Sequence, residues 1–142
     1  MPATLLGPLA PLKPASRPLL LTRIPAGFPS PADDYVEQLL DLNEYVGLSP
    51  DVYLFRCSGD SMVGAGIFPD DVLVVKKGAE ARSGDVVIAD LDGEYTVKRF
   101  VRHGTQMWLV PESDRHAAIQ ICPGHELLIY GVVTFTIHKH RP

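Results

Sequence analysis

A serine and a lysine in this chain have the residue types and surroundings that nucleophilic acyl transfer requires. Ser61 closes the turn-like sequence Ser58-Gly59-Asp60-Ser61, and Lys98 lies in the apolar, β-prone segment Tyr95–Val101. A serine hydroxyl becomes a nucleophile when a base removes its proton, and a desolvated lysine amine can be that base. The pair therefore predicts a Ser-Lys hydrolase.

Alternation along the predicted strand puts Lys98 and Arg99 on opposite faces, so that each face carries one cation. One of them can reach solvent, while the other lies near an apolar surface. Only lysine can lose its proton there, because arginine stays charged. From these residues alone, a solvated edge-strand lysine and a plain turn at Ser58–Ser61 remain the alternatives.

A peptide that this pair could cut is present in the same chain. It is Pro25-Ala26-Gly27-Phe28-Pro29, in which the small residues Ala26 and Gly27 lie between two prolines. Prolines favour the extended backbone that a protease cleft accepts. The working hypothesis is a protease that cleaves itself.

The elements before the serine are predicted to be an extended arm and a helix. Residues 1 to 25 contain six prolines, which block helix formation. Ser30 then suits an N-cap, Pro31 the first helical position, and Asp33 and Asp34 the first turn. Apolar residues continue at helical spacing, and Gly47 predicts the end of this short helix.

From Val52 onward the pattern is typical of short strands separated by turns. Asp92-Gly93 predicts a two-residue hairpin with Lys98 on its second strand. The predicted strands are Val52 to Cys57, Asp71 to Val75, Asp85 to Leu91, Glu94 to Val101, Met107 to Pro111 and Glu126 to His138.

Composition excludes several classes of protein. The net charge of -4 and the 142-residue length predict one domain without the basic surface of a direct DNA binder. Cys57 and Cys122 have no metal spacing and are expected to be buried free thiols in a reducing cytosol. Prolines interrupt the N-terminal leucines, so we expect a cytoplasmic protein without a membrane span.

The five histidines offer an alternative Ser-His pairing, but their sequence surroundings favour surface or loop positions. They are His103, His116, His125, His138 and His140. No metal or cofactor site is predicted.

Taken together, these motifs resemble UmuD-type members of the LexA family of self-cleaving Ser-Lys peptidases, the S24 family. The resemblance covers residues 26–138 and rests on Gly27–Gln38, Ser58–Met62, Gly66-Ile67, Gly84–Ala89 and Asp92–Lys98. It implies a mainly β, LexA-like catalytic core of short, curled antiparallel strands, with a short N-terminal helix and an extended arm. It divides the chain into a removable proline-rich arm (1–26), a linker with a short helix (27–50) and a Ser-Lys peptidase core (51–142).

The same resemblance implies a role for each site residue. Ser61 would be the nucleophile and Lys98 its general base. The amides of Asp60 and Ser61 would form the oxyanion hole, and the bond between Ala26 and Gly27 would be cut. The best-known UmuD protein has a cysteine at the position of Ala26, which is a mild departure.

The resemblance also implies partners. These are a second copy in a homodimer, a RecA filament on single-stranded DNA that promotes cleavage, and a UmuC-type Y-family DNA polymerase. The truncated product would join that polymerase in translesion synthesis during the SOS response. A second hypothesis, from a different class, is a non-catalytic polymerase-binding adaptor with the same fold.

Overall fold

The computed structural model describes residues 13–32 and 35–141 of the chain. It divides into two compact units, residues 1–50 and residues 51–142. The N-terminal prolines Pro2, Pro8 and Pro11 lie outside the described residues, as do Asp33 and Asp34, which were predicted to be in the first helical turn.

The described residues of the first unit form a two-stranded antiparallel ladder and one helical turn. Strand β1 (Ser16–Leu20) pairs with β2 (Val36–Asp41), and helix α1 (Leu42–Val46) follows at once. The carboxylate of Asp41 caps α1 by accepting the Asn43 N–H at 3.0 Å. Among the described residues, no helix has the length and apolar character needed to cross a membrane.

The helix exists, but its predicted start was wrong. Ser30 and Pro31 lie in irregular backbone, and α1 begins twelve residues after Ser30, at Leu42. Residues 36–41 form a strand because β1 supplies a partner, and this pairing overrides their local helical spacing. The predicted end at Gly47 is confirmed, with φ of 75° in the left-handed region that suits glycine.

The second unit is a seven-stranded antiparallel sheet in the order β3-β4-β9-β5-β6-β7-β8. Together with α1 it confirms a mainly β fold of short antiparallel strands. The three-residue β8 was not predicted. The strands are β3 (Val52–Arg56), β4 (Val72–Lys77), β5 (Val86–Leu91), β6 (Glu94–His103), β7 (Gln106–Val110), β8 (Ile119–Ile121) and β9 (Leu127–Ile137).

The sheet curls and buries two apolar clusters. The register of β9 shifts against β4 between Val74 and Val75 and against β5 between Ile88 and Ala89, and such irregularities bend a strand. One cluster gathers around Met62 and Leu73, and the other around Phe100. The first cluster lies under the loop that carries Ser61.

The predicted hairpin is confirmed and fixes the position of Lys98. Asp92 and Gly93 have φ of 52° and 89°, as both central residues of a type I′ turn require. The turn pairs Leu91 with Glu94 and sets Lys98 opposite Val87.

Candidate active site

The loop that follows β3 presents the Ser61 hydroxyl. The chain turns at Gly59, whose φ of 81° lies in the left-handed region, where a residue with a side chain would be strained. Met62, the residue after Ser61, is only 1% exposed and packs in the cluster with Cys57 and Leu73. Ser61 is thus fixed between a glycine turn and a side chain anchored in the core.

Strand β6 brings Lys98 to this hydroxyl. Lys98 Nζ lies 3.0 Å from Ser61 Oγ, 2.8 Å from Thr96 Oγ1 and 3.1 Å from the carbonyl oxygen of Val97. Thr96 is two residues earlier on the same strand and therefore shares the face of Lys98. Residues 37 positions apart in sequence are in hydrogen-bond contact.

The surroundings favour an uncharged amine at this position. Burial lowers the pKa of Lys98, and the nearby Cys57 opposes this only in part. Burial also raises the pKa of Cys57, which disfavours the thiolate that would oppose the shift of Lys98. Desolvation is therefore the main cause that increases the unprotonated fraction of the Lys98 amine at neutral pH.

The three contacts of Lys98 can be made by either protonation state of the amine. A neutral amine has two N–H donors and one lone pair, whereas the ammonium has three donors and no acceptor. The Val97 carbonyl can only accept, and Thr96 Oγ1 can accept the second N–H. In the neutral form the lone pair is left to face Ser61 Oγ, whereas the ammonium donates to Oγ across the same 3.0 Å contact.

A cleft of about 170 Å³ lies beside this pair. Its apolar walls include Phe55, Leu73, Ile88 and Val97. Apolar walls reduce the access of water and strengthen electrostatic interactions within the cleft. The cleft has room for a small side chain next to the hydroxyl.

The amides of Asp60 and Ser61 belong to the loop that presents the Ser61 hydroxyl. Neither amide has an acceptor within residues 13–32 and 35–141, so both can donate to an incoming carbonyl oxygen. The Asp60 carboxylate faces Arg115 Nη1 at 3.8 Å and His116 Nε2 at 3.6 Å.

Ala26 and Gly27 belong to the first unit. Both are exposed and lie in the segment that connects β1 to β2. Their apolar neighbours point to solvent, with Ile24 89% and Phe28 92% exposed. The structure thus brings Ser61, Lys98 and Asp60 together, and it presents the peptide at 26–27 on an exposed connection.

The cysteine and histidine predictions have different outcomes. Cys57 is buried as expected, but Cys122 is exposed, and the prediction was wrong for it. The histidines are exposed, as predicted. One of them, His138, nevertheless contacts the buried Asp71, with 2.5 Å between Nδ1 and Oδ1. Within the described residues, no three His, Cys, Asp or Glu side chains gather to hold a metal ion.

The part that Glu112 plays near this site was not predicted from the sequence. Glu112 follows β7 and contacts the Ser61 loop through its backbone, with its N–H donating to the Ser61 carbonyl at 2.7 Å. Its side chain pairs with Arg99 at 2.5 Å. One signal in the sequence could have indicated this role. Arg99 is the second cation of β6, and on the face opposite Lys98 it would be expected to pair with a carboxylate.

Comparison with known proteins supports a peptidase. The family model described as Peptidase S24-like matches residues 18–134. Protein ImpA of Salmonella typhimurium is 46% identical over 126 residues, which are 88% of this chain and 86% of ImpA. Protein SamA of Salmonella typhimurium is 44% identical over 89% of each chain. The LexA repressor of Bordetella avium is 36% identical over 85% of this chain and 57% of the repressor.

Proposed function

The chain belongs to the peptidase S24 family as a UmuD-type member, and from that premise we propose that it is a self-cleaving serine peptidase with Ser61 as nucleophile and Lys98 as general base. The observation that carries the proposal is the 3.0 Å contact between Lys98 Nζ and Ser61 Oγ beside a cleft of about 170 Å³. An activated serine needs a base within hydrogen-bond reach, and this amine is within that reach.

In the proposed reaction, neutral Lys98 takes the Ser61 proton as Oγ attacks the carbonyl carbon of Ala26. The Asp60 and Ser61 amides donate to the negative oxygen of the tetrahedral intermediate. When the C–N bond breaks, Lys98 returns the proton to the amine of Gly27. Water, deprotonated by Lys98, then hydrolyses the ester on Ser61 and frees the Ala26 carboxylate.

Two features of the chain support Ala26–Gly27 as the cut site. Both residues are small, which suits a cleft of about 170 Å³. Both are also exposed on a connection between two strands rather than within one. A peptide must leave any ladder before it can extend through a protease cleft, and an exposed connection can do so at low cost.

Similarity to UmuD-type proteins supports an SOS-related role in the cytoplasm. We infer that a RecA filament on single-stranded DNA promotes the cut by favouring the cleavage-competent pose of the arm, which is a population shift without new chemistry. We further infer that the chain is a homodimer and that its truncated form joins a UmuC-type Y-family polymerase in translesion synthesis.

The test of the catalytic pair is self-cleavage of the full chain at alkaline pH. Wild type, Ser61→Ala, Lys98→Ala and the exposed-lysine control Lys139→Ala are incubated at about pH 10, near the ordinary lysine pKa. Wild type and control should yield a product about 26 residues shorter that begins at Gly27, as N-terminal sequencing would show. Both active-site variants should stay intact.

The dependence of the rate on pH provides a second check. Because burial lowers the pKa of Lys98, the rate should rise with pH through an inflection below the ordinary lysine value and then level off. A rate that is flat from neutral pH to about pH 10 contradicts Lys98 as the base. No product in any sample supports the adaptor hypothesis instead.

Mixing two inactive chains distinguishes cleavage within a chain from cleavage between chains. One chain carries Ser61→Ala with an intact cut site, and the other carries Gly27→Pro with an intact Ser61. A truncated product from the mixture shows that one copy cuts another. Adding a RecA filament to wild type should raise the rate, which tests the proposed trigger.

A further inference from the structure

The segment after β7 contacts the Ser61 loop through its backbone at two points. The Glu112 N–H donates to the Ser61 carbonyl at 2.7 Å, and the Gly64 N–H donates to the Glu112 carbonyl at 2.8 Å. Both polar groups of one peptide residue therefore bond to the loop, one at the serine and one three residues later. Two bonds fix the orientation of the loop as well as its distance.

Gly64 allows this contact to be close. A Cβ at position 64 would lie 2.7 Å from the Glu112 carbonyl oxygen, closer than side chains come to backbone. Its neighbours Val63 and Ala65 complete a 3₁₀ turn in which the Gly64 φ is not in the positive range. The need for glycine therefore arises from the approach of Glu112 and not from the backbone conformation.

The Glu112 side chain is fixed by an arginine on β6. Arg99 Nε donates to Glu112 Oε1 at 2.5 Å, and Arg99 Nη1 donates to the Gly84 carbonyl at 2.6 Å. The side chains of Arg99 and Glu112 are 32% and 34% exposed, so the pair is partly shielded from water. A guanidinium can reach both acceptors at once because its donors form a rigid planar fork.

Two consecutive residues of β6 thus support the proposed reaction in different ways. Lys98 reaches Ser61 from one face, while Arg99 on the other face holds Glu112, whose backbone holds the Ser61 loop. We propose that Glu112, anchored by Arg99, is a positioning residue that sets the distance between Ser61 Oγ and Lys98 Nζ. It acts through the loop and touches neither reacting atom, and the proposal rests on the proposed self-cleavage.

Cleavage rates of matched variants test this role. Arg99→Met and Glu112→Gln should each cleave roughly 10- to 100-fold more slowly, because misplacement by about 1 Å can cost that much. The double variant should be no slower than the slower single variant, since the two side chains act as one unit. Arg99→Lys keeps the charge and should recover part of the rate that Arg99→Met loses.

Two readouts separate positioning from a general loss of structure. The pH at which the rate inflects should stay near that of wild type, because the burial that lowers the pKa of Lys98 and its contacts with Thr96 and Val97 are kept while only the distance to Ser61 Oγ changes. Lys76→Met is the matched control, since it removes a 2.8 Å ion pair with Asp51 elsewhere on the sheet. It should cleave at the wild-type rate. A shifted inflection, or an equal loss in Lys76→Met, would overturn the proposal.

Amide hydrogen exchange tests the same contact without any cleavage. The amides of Glu112 and Gly64 should exchange at least about tenfold faster in Arg99→Met, while Val87 in the core keeps its wild-type rate. Unchanged exchange at both amides would overturn the proposal, as would faster exchange with an unchanged cleavage rate. If wild type never cleaves, the proposed function fails, and exchange alone decides whether Arg99 and Glu112 hold the loop.

Gly64→Ala is a second variant that acts from the loop side. Its Cβ must push the Glu112 carbonyl away, so the melting temperature should fall, and at a temperature where the protein remains folded cleavage should slow at least as much as in Arg99→Met. A folded Gly64→Ala protein that cleaves at the wild-type rate would contradict the positioning role.

Discussion

The two units of the molecule are stabilised in different ways. All five side chains of β1 are exposed, and its contact with β2 is a backbone ladder. In the described chain, every buried hydrophobic side chain belongs to the second unit. Backbone pairing between two strands is marginally stable in water, whereas a buried apolar core is cooperative.

This difference matches the parts that the proposed reaction assigns to the units. A peptide to be cut must leave its own structure and extend through a cleft, so an exposed ladder suits it. A catalytic pair must keep its geometry to within a fraction of an ångström, which requires packed supports. The substrate side can therefore open without loss of the enzyme side.

Removal of a core side chain should have the largest effect on stability, and it tests the contrast between the two units most strongly. Met62→Ala should lower the free energy of unfolding by roughly 2–5 kcal/mol, because it removes a fully buried side chain and leaves a cavity. Urea unfolding of the intact chain followed by tryptophan fluorescence measures the change.

The matched control comes from the first unit. Leu39 on β2 is 72% exposed, so Leu39→Ala should change the free energy of unfolding by less than about 0.5 kcal/mol. Equal losses from both substitutions would show that the two units share one stabilising core, and the contrast would fail.

A smaller effect is expected from the hydroxyl that orients the amine. Thr96→Val keeps the shape of the side chain but removes the oxygen 2.8 Å from Lys98 Nζ. Losing one hydrogen bond of about 1.4 kcal/mol corresponds to roughly tenfold slower self-cleavage. The rate is measured by following the full-length chain on a gel.

Two variants serve as controls for Thr96→Val. Thr96→Ser keeps the hydroxyl and should restore most of the rate. Thr134→Val removes a hydroxyl that donates to the Val74 carbonyl at 3.3 Å on another strand, and it should cleave normally. Normal cleavage by Thr96→Val would show that the other two contacts of Lys98 suffice to orient it.

Sequence alone identified the features that depend on local chemistry. The turn at Asp92-Gly93, the strand around Lys98 and the loop at Ser61 each have residues with few alternatives, and the structure contains all three. The contact between Ser61 and Lys98 was expected from a family resemblance, since no local pattern relates residues 37 apart.

Features that depend on a distant partner were not identified. Residues 36–41 have helical spacing, and only the pairing with β1 makes them a strand. Glu112 lies in a polar turn that looks solvated in sequence, and its role depends on Arg99 and on the close approach of Gly64. Sequence periodicity records which face of an element is apolar but not which element it meets.

The lysine itself is expected to reduce the stability of the packed unit. Lys98→Met removes a partly buried amine whose protonation burial disfavours, and it should raise the free energy of unfolding at pH 7 by about 1 kcal/mol or less, since partial exposure screens the charge. The catalytic base would thus be a site where the second unit is less stable than its packing allows. Thermal unfolding at neutral pH measures the gain.

The pH dependence of stability tests whether Lys98 lowers the free energy of unfolding. Burial lowers the pKa of Lys98 in the folded chain, so between that pKa and the ordinary lysine value the unfolded chain binds more protons. Wild-type stability should therefore rise with pH across this window, and Lys98→Met should lack that rise. A variant less stable than wild type at pH 7 would show that the amine contributes more through its contacts than it costs through burial.

The smallest effect on the second unit should follow from removing the arm. A chain of residues 27–142 lacks β1, and with it the ladder partner of β2 and the Ala15 carbonyl that accepts the Leu42 N–H at 3.2 Å. Amides of residues 36–41 should then exchange faster, while those of residues 86–91 keep their rates. Because β1 buries no side chain, the free energy of unfolding of residues 51–142 should change by less than about 0.5 kcal/mol. A larger loss would mean that the arm supports the core, and cleavage would then weaken the peptidase unit as well as shorten the chain.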